Sequence, residues 1–116
     1  MNNRFVGTVY EKLAAEALSA NGYEIIEFNF RCRIGEIDIV ARDGKYLCFI
    51  EVKYRVSEKL GNPLEAVTKS KTNTIMKVAR NYLKYKGLSE NIPIRFDVIS
   101  IKGCEVKIIK NAFGGM

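Results

Sequence analysis

Apolar residues follow two different periods along the chain, and the change of period separates predicted helices from predicted strands. Over residues 5–20 they recur every three to four positions, which predicts a helix, and Asn21-Gly22 then supplies a left-handed stop. Residues 23–31 and 36–42 are rich in β-branched and aromatic side chains and predict two strands. In the second strand, alternation predicts Ile37 and Ile39 on one face and Glu36, Asp38 and Val40 on the other.

A hairpin and a long helix are expected next. Asp43-Gly44 between two strand-like runs predicts a type I′ turn, with a third strand from Lys45 to about Arg55. A loop over 56–62 leads to Pro63, which can open a helix as its first residue. Helical spacing continues to a stop at Gly87, although Thr68 and Ser70 allow a break near the start.

Two last strands are predicted at Ile94–Ile101 and Glu105–Ile109. The order α-β-β-β-α-β-β predicts an α/β fold, a mixed central sheet with flanking helices. The length of 116 residues suits one domain over residues 1–116. The chain has no apolar run long enough to span a membrane and no signal-peptide pattern, so we expect a cytoplasmic protein without a membrane partner.

Composition narrows the possible chemistry. The chain contains no histidine, which excludes Ser-His-Asp and Cys-His catalysis and the HExxH zinc motif. Cys32, Cys48 and Cys104 are widely spaced and odd in number, so we expect buried thiols rather than disulfides or a structural zinc site. An enzyme of this composition would depend on carboxylates, lysines, hydroxyl groups and a metal ion.

The net charge of +6 is concentrated in one segment. Residues 69–86 carry six basic and no acidic side chains, while the rest of the chain has 13 of each kind. A localised basic surface is typical of phosphate-backbone binding, and a solvated helix face is the alternative. We assign nucleic-acid contacts to Lys69, Lys71, Lys77, Arg80, Arg33 and Arg55.

The predicted hairpin brings carboxylates together. A turn at Asp43-Gly44 places Glu36 opposite Glu51 and Asp38 opposite Phe49, so that Glu36, Asp38, Glu51 and Lys53 project from one face. Asp38 and Glu51 would then be diagonal neighbours with Cα atoms about 7–8 Å apart.

Carboxylates clustered on a central hairpin are costly to bury without a partner. Oxygen ligands without His or Cys favour Mg²⁺ or Mn²⁺, which could bind Asp38 and Glu51 while Lys53 orients a water or stabilises developing charge. The alternative is a surface hairpin in which Lys53 only pairs with Glu51.

Two further carboxylates are candidates. Glu11 borders the apolar stripe of the first helix and could reach the same site, although an ordinary surface glutamate is the alternative. Asp97 could pair with Arg95 or line the same sheet edge, and we favour a structural ion pair.

The motifs GEIDIVA at 35–41 and FIEVKYR at 49–55 resemble the signature of the YraN-like family of small bacterial proteins. That family is placed in the PD-(D/E)XK nuclease superfamily, close to the Holliday-junction resolvases. The similarity also covers residues 7–11, 22–23, 29–33, 71–83, 95–98 and 111–113. It implies a restriction-endonuclease-like core and, as in the resolvases, a homodimer.

By position, the resemblance implies that Asp38 and Glu51 bind the metal, that Lys53 is the catalytic lysine and that Glu11 joins the site. Tyr10 departs from the family pattern, which has glycine just before that glutamate. We therefore expect a metal-dependent endonuclease acting on DNA, including branched or damaged DNA. A non-catalytic nucleic-acid-binding module is the alternative, and an adaptor for an acidic protein is a third hypothesis.

Overall fold

The computed structural model describes residues 2–55 and 69–113, and the side chains of residues 9–54 and 69–113. The elements are α1 (Asn2–Ala20), β1 (Glu24–Arg31), β2 (Glu36–Asp43), β3 (Tyr46–Arg55), α2 (Lys69–Tyr85), β4 (Ile94–Lys102) and β5 (Glu105–Phe113). The predicted order is confirmed. The predicted loop at 56–62 and helix start at Pro63 lie outside the described residues.

The strands form one mixed sheet in the order β1-β2-β3-β4-β5. Only β3 and β4 are parallel, from Leu47–Ile94 to Arg55–Lys102, and the other neighbouring pairs are antiparallel. A parallel pair needs a crossover connection, and α2 lies within that connection. This mixed sheet with helices packed on it is consistent with a restriction-endonuclease-like core.

Each helix packs on its own face of the sheet. On one face, Ala14 and Leu18 of α1 are buried in a cluster with the inward side chains Ile39, Ile50 and Ile99. On the other face, α2 buries residues at helical spacing against the sheet: Ile75, Val78, Ala79, Tyr82 and Leu83. The sheet is therefore covered by one helix on either face.

Both helices end in the Schellman motif. In α1, Tyr23 N–H donates to Leu18 O (3.0 Å) beyond Gly22, whose φ is +89°. In α2, Leu88 N–H donates to Leu83 O (2.8 Å) beyond Gly87, whose φ is +69°. The helix stops predicted at Asn21-Gly22 and Gly87 are confirmed.

The predicted hairpin register was wrong by two residues. Asp43 pairs with Tyr46 and Ile39 with Ile50, so the turn residues are Gly44 and Lys45. Gly44 has a φ of +60° and Lys45 has no positive φ, which fits a type II′ turn rather than type I′. Because side chains alternate with period two, a shift of two does not by itself move a residue to the other face.

The predicted alternation in β2 was wrong at Ile37. This residue packs in the cluster under α2 together with Val40, whereas Ile39 packs in the cluster under α1. Asn29 of the paired strand β1 has a φ of +53°, and a left-handed residue within a strand increases the local twist. The twist turns Ile37 and its partner Phe30 toward α2.

Candidate functional site

The candidate site lies where β2 and β3 separate. Their backbone pairing reaches Ile39–Ile50, and the next N–H of β3 on that side, that of Val52, donates to Asp38 Oδ2 (2.8 Å). The Asp38 side chain thus satisfies a backbone donor that a strand carbonyl would otherwise bond. Continuing the register makes Asp38 and Glu51 directly opposite rather than diagonal neighbours, which brings the two carboxyl groups within hydrogen-bonding reach.

Glu51 is buried, and one of its carboxylate oxygens contacts two lysine side chains. Its Oε2 lies 3.2 Å from Lys53 Nζ and 3.0 Å from Lys71 Nζ. Lys53 belongs to β3, two residues beyond Glu51, whereas Lys71 lies in the first turn of α2. The arrangement of Asp38, Glu51, Lys53 and Lys71 is called the Asp38 cluster below.

The charges of the Asp38 cluster are equal in number but unevenly paired, because both lysines contact Glu51. Burial and the negative charge of Glu51 raise the pKa of Asp38 to about 7, although the hydrogen bond from Val52 acts in the opposite direction. Burial alone would lower the pKa of Lys71, but its contact with Glu51 outweighs this and leaves that pKa raised. A carboxyl pair that resists losing its second proton is a favourable place for an added cation.

The ion pair between Lys53 and Glu51 that the surface-hairpin alternative requires is present, but the hairpin is not simply a solvated surface. Glu51 is 5% exposed, and a lysine from a helix far along the chain shares its oxygen. Glu36 forms an exposed ion pair with Arg31 across β1 and β2 (2.8 Å). Its negative charge makes a small contribution to the raised pKa of Asp38.

Glu11 contacts a different partner from the one expected. Its carboxylate accepts a hydrogen bond from Asn29 Nδ2. Asn29 falls opposite Asp38 in the β1–β2 register, between the pairs Phe28–Ile39 and Phe30–Ile37. Glu11 therefore approaches the site through Asn29, and its direct role in the site stays a prediction.

The bulky residue before Glu11 has a packing role. The Tyr10 ring stacks on Tyr54 with centroids 4.2 Å apart, and Tyr54 directly follows Lys53 in β3. This contact fixes α1 against β3 beside the site. Tyr10 is thus accommodated in a position where the resemblance led us to expect glycine.

The second group of charges lies on the opposite face of the sheet. Asp97 is fully buried and accepts hydrogen bonds from Tyr23 OH (2.7 Å), from Arg95 Nε (2.9 Å) and from the N–H of Asn111 (2.9 Å). Arg95 also donates to Asp43 Oδ2 (2.7 Å). The expected Asp97–Arg95 ion pair is confirmed, and these five residues are called the Asp97 network below.

The predicted nucleic-acid contacts lie on or near α2. Lys69, Lys77 and Arg80 are exposed along the helix, and Arg33 is exposed in the turn between β1 and β2. The side chain of Arg55 lies outside the described residues. Lys71 contacts Glu51 instead of facing only solvent, so it belongs to the Asp38 cluster.

Two contacts of the site were not foreseen. Asn29 links Glu11 to the strand beside Asp38, and Lys71 supplies the second cation of Glu51. A polar amide inside a strand of apolar and aromatic residues was the available signal for Asn29. For Lys71 the signal was a lysine at the start of a basic helix with no acidic residue in its first turn.

Within the described part of the chain, no three His, Cys, Asp or Glu side chains are grouped so that they could hold one metal ion. The site therefore offers two carboxylates, Asp38 and Glu51, which is a number that Mg²⁺ commonly accepts while keeping several waters. No helix among the described residues is long and apolar enough to cross a membrane.

Comparison with known proteins points to one family. The model of uncharacterised protein family UPF0102 matches residues 10–101. A UPF0102 protein from Lachnoclostridium phytofermentans is 48% identical over 113 residues, which cover 97% of this chain and 96% of that protein. A UPF0102 protein from Clostridium botulinum strain Loch Maree is 43% identical over 117 residues, with 96% and 95% covered.

Proposed function

The chain belongs to the uncharacterised protein family UPF0102, and we propose that it is a metal-dependent endonuclease that hydrolyses phosphodiester bonds in DNA. The observation that carries the proposal is the Asp38 cluster, in which two opposed carboxyl groups lie beside two lysines at the point where strands separate. The resemblance of the two strand motifs to PD-(D/E)XK nucleases supports the same activity.

The residues suit Mg²⁺ or Mn²⁺. Asp38 and Glu51 offer hard oxygen ligands, and the repulsion that raises the pKa of Asp38 would be relieved by a divalent cation. When bound, such an ion polarises a phosphate and lowers the pKa of a coordinated water. In this proposal Asp38 and Glu51 would bind the ion, and Lys53 and Lys71 would no longer pair with Glu51.

In this proposal the two lysines contact the DNA substrate. Lys53 is largely buried, so its ammonium group would remain close to the scissile phosphate and stabilise charge that develops there. Lys71 is about half exposed and sits at the start of a basic helix, so it would bind a neighbouring phosphate. Positive charge from α2 also offsets the repulsion between acidic ligands and DNA.

The test is cleavage of labelled linear, nicked and four-way-junction DNA in Mg²⁺ or Mn²⁺. Wild type is compared with Asp38→Asn, Glu51→Gln and Lys53→Met, and Lys107→Met on β5 is the control. We expect each site variant to lose at least about 100-fold in rate, as is typical when a charge-stabilising group is removed, while the control keeps its rate. Equal cutting by all variants would contradict the proposal and identify a contaminant.

A non-catalytic nucleic-acid-binding module is the second candidate. It is favoured by one observation, that both Lys53 and Lys71 contact Glu51 and so compensate its charge. This function predicts salt-sensitive DNA binding, no cutting in either metal, and no loss of binding in Asp38→Asn.

A further inference from the structure

A groove lies between the C-terminal half of α2 and the edge strand β1. It consists of two adjoining clefts of about 560 and 670 Å³ that share Asn81 and Lys84. The residues that define it, called the α2 groove below, are Ile34, Lys77, Arg80, Asn81, Lys84 and Tyr85. One wall is therefore the C-terminal half of α2, and the other is formed by β1 and the turn that follows it.

The α2 groove is electropositive. Lys77, Arg80 and Lys84 line it, and Glu27 at its rim is paired with Lys86 (3.3 Å). Glu90 is a carboxylate of the first cleft and offsets part of this charge. Lys77, Arg80 and Lys84 thus outnumber Glu90, the carboxylate of the groove that is in no described ion pair. This excess of positive charge favours a polyanion over an acidic or neutral small molecule.

An aromatic ring stands at the far end of the groove. Tyr85 is 75% exposed, although an aromatic side chain gains free energy by burial. Its ring lies 6.1 Å from that of Phe30, and Lys86 Nζ lies 5.4 Å from its centroid. An exposed ring beside cations is the arrangement with which proteins stack unpaired bases.

The α2 groove and the Asp38 cluster share one helix. Lys71 lies in the first turn of α2, the groove residues Lys77, Arg80 and Lys84 follow toward its C-terminus, and Tyr85 is its last residue. Lys71 and Tyr85 are fourteen positions apart, about 21 Å along a helix. That length matches roughly six nucleotides of a stacked single strand at a rise of about 3.4 Å each.

We infer that the α2 groove binds an unpaired nucleic-acid strand, with its phosphates on Lys77, Arg80 and Lys84 and a base stacked on Tyr85. In a duplex the base faces are already stacked on one another, so Tyr85 would have nothing to cover. This inference rests on the proposed function, and it assigns to the site a substrate with a single-stranded segment beside the bond that is cut.

The experiment is fluorescence anisotropy of a labelled oligonucleotide, free or annealed to its complement, at low salt with EDTA so that nothing is cut. Tyr85→Ala is expected to weaken single-strand binding by roughly 5- to 100-fold, the value of one base–aromatic stack, and Tyr85→Phe to retain it. Duplex binding is expected to change by less than about twofold in Tyr85→Ala, because phosphate contacts dominate it.

The charge contribution is tested by Lys84→Ala against Lys107→Ala. Both remove one exposed lysine, but Lys107 lies on β5 at the opposite edge of the sheet from β1. We expect weaker single-strand binding only in Lys84→Ala. If Tyr85→Ala fails to fold, this pair decides the matter.

Equal affinity for single strand and duplex with no effect of Tyr85→Ala would overturn the inference, and so would an absence of nucleic-acid binding. Because the assay contains no divalent metal, a failed cleavage test leaves this result standing. Conversely, if the protein cuts DNA but Tyr85→Ala does not change single-strand binding, the proposed nuclease activity stands and the single-strand groove is contradicted.

Discussion

The two faces of the sheet carry buried carboxylates in opposite states. In the Asp97 network, Asp97 accepts hydrogen bonds from a phenol, a guanidinium and a backbone N–H, and both carboxylates have cationic partners: Asp97 pairs with Arg95, and Asp43 pairs with Arg95 and Lys110. In the Asp38 cluster, Asp38 accepts from Val52 and faces a second carboxyl group, that of Glu51, so its pKa is raised to about 7. One face is electrostatically complete and the other is not.

The difference separates structure from function. A buried ion pair whose polar atoms are all bonded holds its surroundings together and needs no further ligand. Two carboxyl groups in contact cost stability, and such a cost is typical of sites that bind a cation or titrate near neutral pH. We therefore infer a structural role for the Asp97 network, and we propose that the Asp38 cluster carries the chemistry.

The largest expected effect on stability comes from disrupting the Asp97 network. Asp97→Ala would leave the largely buried guanidinium of Arg95 with Asp43 as its remaining described carboxylate partner, and would remove the acceptor of Tyr23 and Asn111. We expect a loss of about 3 kcal/mol or more in the free energy of unfolding, measured by urea denaturation. A loss below about 1 kcal/mol would show that the network is not a structural centre.

A gain in stability is expected from Asp38→Asn in the Asp38 cluster. The variant keeps an acceptor for the N–H of Val52 but cannot ionise. The folded pKa of Asp38, about 7, lies above its unfolded value of about 4, so wild-type stability falls as the pH rises between these values. We expect the variant to be about 1–3 kcal/mol more stable than wild type at about pH 8 and no more stable at about pH 4. Urea unfolding at both pH values measures this, and a less stable variant at about pH 8 would contradict it.

A smaller effect is expected from Lys71→Met. The Lys71 side chain is about half exposed, so its ion pair with Glu51 should contribute less than about 1 kcal/mol to stability. Removing its positive charge should raise Mn²⁺ affinity roughly fivefold, equivalent to about 1 kcal/mol. Lys69→Met, a loss of the same charge two residues earlier, is the control, and an equal gain there would indicate only a general field effect.

The sequence predicted most of the fold because its signals were local. Gly22 and Gly87 end the helices as expected, and the strands lie within a few residues of their predicted bounds. The predicted register was wrong because Gly44 can occupy either central position of the turn. The predicted face of Ile37 was wrong because it depends on Asn29, a left-handed residue on the neighbouring strand. Asp38 and Glu51 still came together, since an error of two residues preserves the faces.

The rest of the site depends on contacts between distant parts of the chain. Lys71 meets Glu51 only because α2 packs on the face that Glu51 shares, and no local pattern fixes that approach. Likewise the hydrogen bond of Glu11 goes to Asn29, although both the helix stripe and the resemblance allowed a direct approach to the site. Side-chain partners of this kind follow from tertiary packing and not from periodicity.

The most direct measurement of the central claim is Mn²⁺ binding followed by electron paramagnetic resonance at about pH 8, where Asp38 is ionised. It needs neither substrate nor turnover. Wild type is compared with Asp38→Asn and with Asp43→Asn, which removes one carboxylate from the Asp97 network. We predict one bound ion in wild type, its loss in Asp38→Asn and its retention in Asp43→Asn. Binding that is absent from wild type, or that survives in Asp38→Asn, would contradict the assignment of chemistry to the Asp38 cluster.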